Sequence, residues 1–258
     1  MSRVTWLNGG LVDPATARVG IDDPGLRYGE GLRETMRGQD GTVPWLERHL
    51  DRLSASVAAL GLTGIPSRTA VDEAARAVAA ALGPGTSRIT VIVTSAPTLL
   101  VDGTHTPREA EPGLSAISLP NTWFPTRREA EHKTLSFLGW RDAMRQAHAA
   151  GADTALLLDA AGRLGEAATA NVFCVIGGEI VTPPPHGILR GVTRDIVMEL
   201  TTVREAMLEE REWRQADEVF VTSAVRGVVP IARCDDRDIG VGPVTTHLRA
   251  RVEARFGR

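Results

Sequence analysis

The chain has almost no lysine and almost no tyrosine. Lys133 is the one lysine among 29 Lys and Arg residues, and Tyr28 is the one tyrosine. Arginine stays protonated and cannot act as an amine nucleophile, whereas a lysine in an apolar or cationic pocket can lose its proton and form a Schiff base. A lone lysine in an arginine-rich chain is therefore either an accident of biased residue usage or an amine that the chemistry requires.

Other absences narrow the class of protein. The two cysteines, Cys174 and Cys234, are too few for a disulfide framework, and Cys174 lies in an apolar run that predicts a small buried hydrophobe. The formal charge of −3 leaves no basic surplus for nucleic-acid binding. The sequence shows no signal segment and no apolar run that could span a bilayer, and His105 has no partner at metal-ligand spacing. We therefore expect a cytoplasmic protein without a metal, a membrane segment or a nucleic-acid partner.

Composition and length are those of a globular chain. Hydrophobic residues make up 43% and charged residues 24% of the 258 residues, enough for one large core or two modest domains. Residues 102 to 113 are polar and contain two prolines, so they are the strongest candidate for a domain boundary. We predict an N-terminal α/β domain over residues 1 to 108, a linker over 109 to 113 and a C-terminal domain over 114 to 258.

Local patterns predict several elements of the N-terminal half. The Gly9-Gly10 pair between apolar runs indicates a hairpin, and residues 22 to 31, rich in glycine, indicate an irregular loop. Apolar residues recur at three- and four-residue steps from Trp45 to Leu60, which is typical of an amphipathic helix. Ser67 is a predicted cap for the next helix, and residues 87 to 95 read as a buried strand.

A series of motifs carries the functional signal. They are Tyr28-Gly29-Glu30-Gly31 with Glu34-Thr35-Met36-Arg37, Arg48-His49-Leu50-Asp51-Arg52-Leu53, Lys133-Thr134-Leu135, Glu166 within Gly165-Glu166-Ala167-Ala168-Thr169-Ala170-Asn171-Val172-Phe173, Gly191-Val192-Thr193-Arg194, and Ala216-Asp217-Glu218-Val219-Phe220-Val221-Thr222-Ser223. In this order they resemble the fold type IV family of pyridoxal-phosphate enzymes over roughly residues 3 to 235. The resemblance implies a two-domain α/β (α+β) protein, with a smaller N-terminal α/β domain and a larger, cofactor-binding C-terminal domain around a β-barrel-like sheet.

The resemblance also implies how pyridoxal 5′-phosphate is bound. Lys133, the only side chain that can supply an amine, would form the Schiff base and later move a proton at the substrate Cα. Glu166 would hold the proton on the pyridine nitrogen, since a carboxylate beside the ring keeps that nitrogen charged. Arg52 stands at the family's phosphate arginine and would clamp the phosphate.

The phosphate of that cofactor needs an anion site. The turn before Val192 opens a predicted helix, so that Gly191, Val192 and Thr193 offer backbone N–H groups, a favourable dipole and a hydroxyl. The segment Thr222-Ser223-Ala224 matches the loop that closes the phosphate site in the family. Many relatives carry a hydroxyl where this chain has Ala224, so only the backbone N–H can serve there.

The substrate side is less determined. The resemblance suggests Tyr28, Arg33 and Arg226 as substrate-binding residues. Relatives often carry an aromatic residue at the position of Arg33. This arginine either binds a substrate carboxylate or, if the strand register differs by one residue, points to the other face of the sheet.

Three possible functions remain open at this point, two of them catalytic. The first is transamination between an amino acid or amine and a 2-oxo acid; the alternative within the family is 4-amino-4-deoxychorismate lyase, which makes 4-aminobenzoate and pyruvate. Both reactions would use Lys133 and Glu166, so the cofactor motifs do not separate them. From another class, a non-catalytic relative could serve as a structural partner. Family members are usually dimers, so we expect a homodimer.

Overall fold

The computed structural model describes residues 3 to 106, 113 to 120 and 127 to 256. The chain divides into two compact units. Unit 1 comprises Met1–Glu109, His132–Ser136 and Phe256–Arg258, and unit 2 comprises Ala110–Glu131 and Phe137–Arg255. Apart from Gly113, the predicted linker lies outside the described residues, and the predicted domain limits stay a prediction.

Unit 1 is an antiparallel sheet with helices packed against it. Its strands follow the order β2-β1-β5-β4-β3, and every adjacent pair is antiparallel. The elements are β1 (Arg3–Leu7), β2 (Gly10–Val12), α1 (Pro24–Tyr28), β3 (Gly31–Gln39), α2 (Leu46–Leu60), α3 (Arg68–Leu82), β4 (Thr86–Thr94) and β5 (Leu99–His105). The hairpin predicted around Gly9-Gly10 is confirmed as β1 and β2.

The two long helices of unit 1 form where the sequence predicts them. On α2, Leu46, Leu50 and Leu53 are buried in the core of this unit, and Gly61 ends the helix in the left-handed conformation that glycine favours. The hydroxyl of Ser67 accepts a hydrogen bond from the backbone N–H of Ala70 at 3.2 Å, which confirms the predicted cap of α3.

Two segments of unit 1 differ from the prediction. Within the predicted irregular loop, Pro24–Tyr28 form the short helix α1, because the carboxylate of Asp23 accepts from the backbone N–H of Gly25 at 2.7 Å and proline suits a first helical position. The polar boundary does not begin at residue 102, since β5 continues through His105 with β1 on one side and β4 on the other. The carboxylate of Asp102 accepts hydrogen bonds from side chains of β1. Composition alone does not predict these contacts.

Unit 2 is built around a second sheet that curls into a half-barrel. Among the described residues its strands follow the order β11-β10-β9-β12-β13-β6-β7-β8, with β14 paired to β13. The elements are β6 (Leu114–Pro120), α4 (Arg127–Ala130), α5 (Leu138–Ala149), β7 (Thr154–Leu158), β8 (Leu164–Ala167), β9 (Asn171–Ile176), β10 (Glu179–Thr182), α6 (Val192–Leu200), β11 (Arg204–Glu205), α7 (Glu210–Trp213), β12 (Glu218–Ser223), β13 (Gly227–Cys234), β14 (Arg237–Asp238) and α8 (Pro243–Phe256).

The cysteines of unit 2 are structural. Cys174 and Cys234 are both buried in its hydrophobic core, as the apolar run around Cys174 predicts. Burial raises the pKa of each thiol to about 12, so neither is a thiolate nucleophile near neutral pH. Within the described ranges, the helices are too short or too polar to cross a lipid bilayer.

Candidate functional site

The segment that carries Lys133 pairs with the start of β3 in unit 1. The backbone N–H of Arg33 donates to the carbonyl of Lys133 at 2.8 Å, and the N–H of Leu135 donates to the carbonyl of Gly31 at 3.1 Å. These bonds form a short antiparallel bridge beside the sheet. Because main-chain atoms make them, the position of the lysine backbone does not depend on its side chain.

The close approach of this segment explains two glycines of the Tyr28-Gly29-Glu30-Gly31 motif. A Cβ on Gly31 would lie 2.4 Å from the carbonyl oxygen of Val93 and 2.8 Å from a methyl group of Leu135. A Cβ on Gly29 would lie 2.7 Å from the hydroxyl of Ser136, and its φ of +71° is one that side chains rarely adopt. The motif therefore makes room for the segment around the lysine.

Helix α2 fixes the same segment from a second side. The imidazole Nδ1 of His132 lies 3.0 Å from the hydroxyl of Ser56 on α2. Lys133 itself is half-buried, and its charge acts on the ring of His49, which also lies on α2. The segment of the lone lysine is thus held against both β3 and α2 of unit 1.

A trio of side chains lies next to the lysine segment and consists of the buried Glu34 and His49 and the half-buried Arg52. Arg52 donates from Nε to Oε1 of Glu34 at 2.8 Å and from Nη2 to Oε2 at 2.5 Å, a two-pronged pairing. Nδ1 of His49 lies 2.8 Å from the same Oε2. Because an ionised carboxylate only accepts, Nδ1 carries the proton in this contact.

The charges of the trio are balanced inside the fold. Burial alone would raise the pKa of Glu34, but the charge of Arg52 and the hydrogen bond from His49 outweigh it and hold that pKa well below its ordinary value. Burial, assisted by the charges of Arg52 and Lys133, lowers the pKa of His49 in spite of Glu34. At neutral pH the trio is therefore one carboxylate, one guanidinium and a neutral imidazole.

Arg52, the predicted phosphate clamp, pairs with Glu34 in unit 1. Its described contact is the carboxylate of Glu34, and its predicted role at the phosphate stays a prediction. Of the predicted substrate residues in unit 1, Arg33 lies on β3 beside the backbone of Lys133. Because successive side chains of a strand point to opposite faces of the sheet, Arg33 and Glu34 lie on opposite faces. Tyr28, with 68% of its surface exposed, lies on α1.

In unit 2 the predicted phosphate residues come together at the start of α6. Asn171 of β9 stands directly opposite Thr222 of β12, and its side-chain amide donates to the carbonyl of Leu189 at 2.7 Å. A Cβ on Gly191 would lie 2.1 Å from Oδ1 of Asn171, so only glycine fits at this helix cap. Asn171 therefore anchors the turn before α6 next to the end of β12, and α6 packs on that strand.

Two hydroxyl groups at this place have no partner among the described residues. They belong to Thr193 in the first turn of α6 and to Thr222 near the end of β12. Each residue is 2% exposed. A buried hydroxyl without a hydrogen bond is costly, so such groups are commonly kept for a ligand. Ser223 and Ala224 follow Thr222 and are half-buried.

Glu166 is a buried carboxylate on β8 of unit 2. It pairs across the sheet with Leu157 of β7. The indole N–H of Trp140, on α5, donates to its Oε1 at 3.0 Å. The third predicted substrate residue, Arg226, is exposed in the turn between β12 and β13, where its charge lowers the pKa of Asp153 after the larger effects of the hydrogen bonds from Ser115.

Four residues that contact the predicted site residues or their partners have no role predicted from the sequence. Glu34, His49 and Asn171 lie inside the quoted motifs, but the motifs do not show which residues these side chains contact. Trp140 lies in none of the motifs, and nothing in the sequence pairs it with a carboxylate 26 residues away.

Comparisons with known proteins identify the family. The model described as "Amino-transferase class IV" matches residues 31–234. A putative branched-chain-amino-acid aminotransferase of Methanocaldococcus jannaschii is 33% identical over an alignment that covers 96% of this chain and 94% of that protein. A fold IV-transaminase from Curtobacterium pusillum has a TM-score of 0.88 at 26% identity, with 98% of both chains covered. The branched-chain aminotransferase of Thermoproteus uzoniensis has a TM-score of 0.85 at 27% identity, covering 98% of this chain and 95% of that one. The chain belongs to the class IV aminotransferase family.

Membership decides the fold type and the class of reaction. The predicted fold type IV architecture and the predicted aminotransferase are confirmed. The protein is an enzyme whose family implies pyridoxal phosphate as the cofactor, an amino donor and an oxo-acid acceptor. These comparisons do not favour the lyase.

Proposed function

We propose that this aminotransferase uses Lys133 as its catalytic amine and a branched-chain amino acid as its amino donor. The single observation that carries the proposal is the pair of buried hydroxyls, Thr193 and Thr222, which lack partners among the described residues. The donor class is suggested by the names of the relatives, which are branched-chain aminotransferases.

The residues of unit 2 fit a phosphate monoester. The first turn of α6 presents backbone N–H groups and the positive end of the helix dipole, and its cap residue, Gly191, has no side chain to bind those N–H groups. The hydroxyls of Thr193 and Thr222 add two donors from neighbouring elements. Ser223 and the backbone N–H of Ala224 complete the proposed anion site, with Arg52 as the charged clamp that the family resemblance implies.

The proposed chemistry assigns roles to five side chains. When bound, pyridoxal 5′-phosphate supplies an aldehyde that condenses with amines and a ring that withdraws electrons. Lys133 supplies the resident amine, and its Nζ then takes the proton from the substrate Cα. The carboxylate of Glu166 holds a proton on the ring nitrogen. Arg33, adjacent to the lysine in unit 1, is proposed to bind the substrate carboxylate, with Tyr28 and Arg226 as further substrate residues.

The test of the proposed function is whether turnover depends on an acceptor. The protein is loaded with pyridoxal 5′-phosphate and given L-leucine, L-valine and their D-enantiomers one at a time, with and without a 2-oxo acid. We expect branched-chain amino acids to be consumed only when the oxo acid is present. Release of pyruvate from 4-amino-4-deoxychorismate without any oxo acid would instead support the lyase.

Replacing the buried hydroxyl of Thr222 by a methyl group is expected to have two opposite effects. Thr222→Val removes an unsatisfied buried group, so the free energy of unfolding without cofactor should rise by about 1 kcal/mol. The same change should weaken binding of pyridoxal 5′-phosphate about tenfold, because one hydrogen bond to a charged phosphate is worth about 1.5 kcal/mol or more. Urea denaturation and equilibrium titration with the cofactor measure the two effects.

Thr245 supplies a matched control for this change. Its hydroxyl, on α8, is also buried without a partner among the described residues. Thr245→Val should therefore raise stability and leave the affinity for pyridoxal 5′-phosphate unchanged. If Thr222→Val also left that affinity unchanged, Thr222 would not belong to the phosphate site.

We further propose that the enzyme acts as a homodimer in the cytoplasm. Three large apolar side chains of unit 1, Ile21, Leu26 and Tyr28, are 81%, 65% and 68% exposed, which supports coverage of this surface by a second copy. Light scattering of the purified protein is expected to give the mass of two chains, and the mass of one chain would contradict the dimer.

A further inference from the structure

A hydrogen bond ties the first turn of α5 to the carboxylate of Glu166. The indole N–H of Trp140 donates to Oε1 of Glu166 at 3.0 Å. Glu166 is 5% exposed, so this bond forms away from bulk water. The indole is a donor only, and a bond from it to a charged acceptor is stronger than one between neutral groups.

The packing of α5 explains why the indole reaches the carboxylate. Trp140 shares one helical face with Ala143, Met144 and Ala147, at the three- and four-residue spacing of neighbours on a helix. This face packs on β7, whose Leu157 is paired with Glu166 of β8. The alanines let the helix lie close to the sheet, so that an indole in its first turn covers the next strand.

A second aromatic ring fixes the plane of the indole. Phe137, the residue that precedes α5, stacks on Trp140 with ring centroids 5.4 Å apart and an interplanar angle of 15°. Such offset stacking restricts rotation of the indole and so keeps its N–H directed at Oε1.

We infer that Trp140 is a positioning residue that orients the carboxylate of Glu166 toward the ring nitrogen of the cofactor. With Oε1 bound by the indole, rotation of the carboxylate is restricted. The inference deepens the proposed function and rests on the role of Glu166 in it. Loss of the indole N–H would let the carboxylate rotate, which weakens cofactor binding and slows proton removal at the substrate Cα.

Two substitutions of Trp140 separate the hydrogen bond from simple packing. Trp140→Phe keeps an aromatic ring against Phe137 but removes the N–H. Trp140→Gln places an amide nitrogen as many bonds from Cβ as the indole nitrogen, so it keeps a donor while losing the ring. Trp213→Phe is the matched control, since Trp213 is a buried tryptophan of unit 2 whose indole N–H donates to the carbonyl of Gly162 at 3.4 Å.

The measurements are the dissociation constant of pyridoxal 5′-phosphate, followed by its visible absorption, and the separate values of kcat and KM. For Trp140→Phe we expect about tenfold weaker cofactor binding and a fall in kcat with little change in the KM of the amino donor. Trp140→Gln should recover a large part of both losses, and Trp213→Phe should match wild type in both.

The possible failures can be told apart. If wild type binds the cofactor and Trp140→Phe behaves like Trp213→Phe, Trp140 does not position Glu166. The same conclusion follows if Trp140→Gln is as impaired as Trp140→Phe, because the ring rather than the donor would then matter. If wild type itself does not bind pyridoxal 5′-phosphate, the proposed function fails, and the inference fails with it.

Discussion

Replacement of Lys133 by alanine is expected to lower the rate of transamination by about a thousandfold or more. The change removes both the only side-chain amine of the chain and the group proposed to move the proton at the substrate Cα, and positioned acid–base groups alone contribute about a hundredfold to ten-thousandfold. Steady-state rates with a branched-chain amino acid and a 2-oxo acid measure the loss. The fold should survive, because main-chain atoms hold this segment against β3.

Two further measurements distinguish an amine from a positive charge at this position. Lys133→Arg keeps the charge beside His49 but not the nucleophile, so it should be as inactive as the alanine variant. Added methylamine should restore part of the activity of Lys133→Ala, since a small amine can occupy the space that the side chain leaves. An arginine variant with wild-type activity would overturn the assignment of Lys133 as the catalytic amine.

Loss of the carboxylate in the trio is expected to be the most damaging change to stability. Glu34→Ala removes the carboxylate to which Arg52 and Nδ1 of His49 donate. Breaking a buried ion pair on one side costs about 3 kcal/mol or more, because the other charge stays in a poorly solvated place. Urea denaturation should show a fall in the free energy of unfolding of that size.

An exposed ion pair between Asp51 on α2 and Arg68 on α3 is the control. Asp51 pairs with Arg68 at 2.9 Å, and 71% and 38% of the two side chains are exposed. Asp51→Ala should change stability by about 0.5 kcal/mol or less, as is usual for surface pairs. Equal effects of Glu34→Ala and Asp51→Ala would show that the trio contributes no more than a surface contact.

Glu34 and His49 also predict how the stability of the wild-type protein depends on pH. The pKa of His49 is lowered in the fold, so its contribution is complete above the ordinary value of 6.5 and declines as the pH falls below it. The pKa of Glu34 is also lowered, so its contribution is complete above the ordinary value of 4.5 and is lost as the pH falls further. Urea midpoints should therefore decrease from about pH 6.5 downward.

The sequence by itself determined the features that depend on near neighbours. The amphipathic period of α2, the Ser67 cap of α3 and the Gly9-Gly10 hairpin follow from residues a few positions apart, which interact in the same way wherever the element packs. The single lysine is also a property of the sequence alone. Together with the ordered motifs, it indicated the cofactor chemistry before any contact was known.

Only the tertiary structure decided which distant groups meet. Glu34 pairs with Arg52, 18 residues away, only because α2 packs on β3 with these two side chains facing each other. The contact between Trp140 and Glu166 requires α5 to lie close on β7. Residues 102 to 105 look like part of a polar boundary, yet they belong to β5, where Asp102 accepts hydrogen bonds from side chains of β1 almost a hundred residues earlier. Such partners are set by strand pairing and helix packing, which no local pattern encodes.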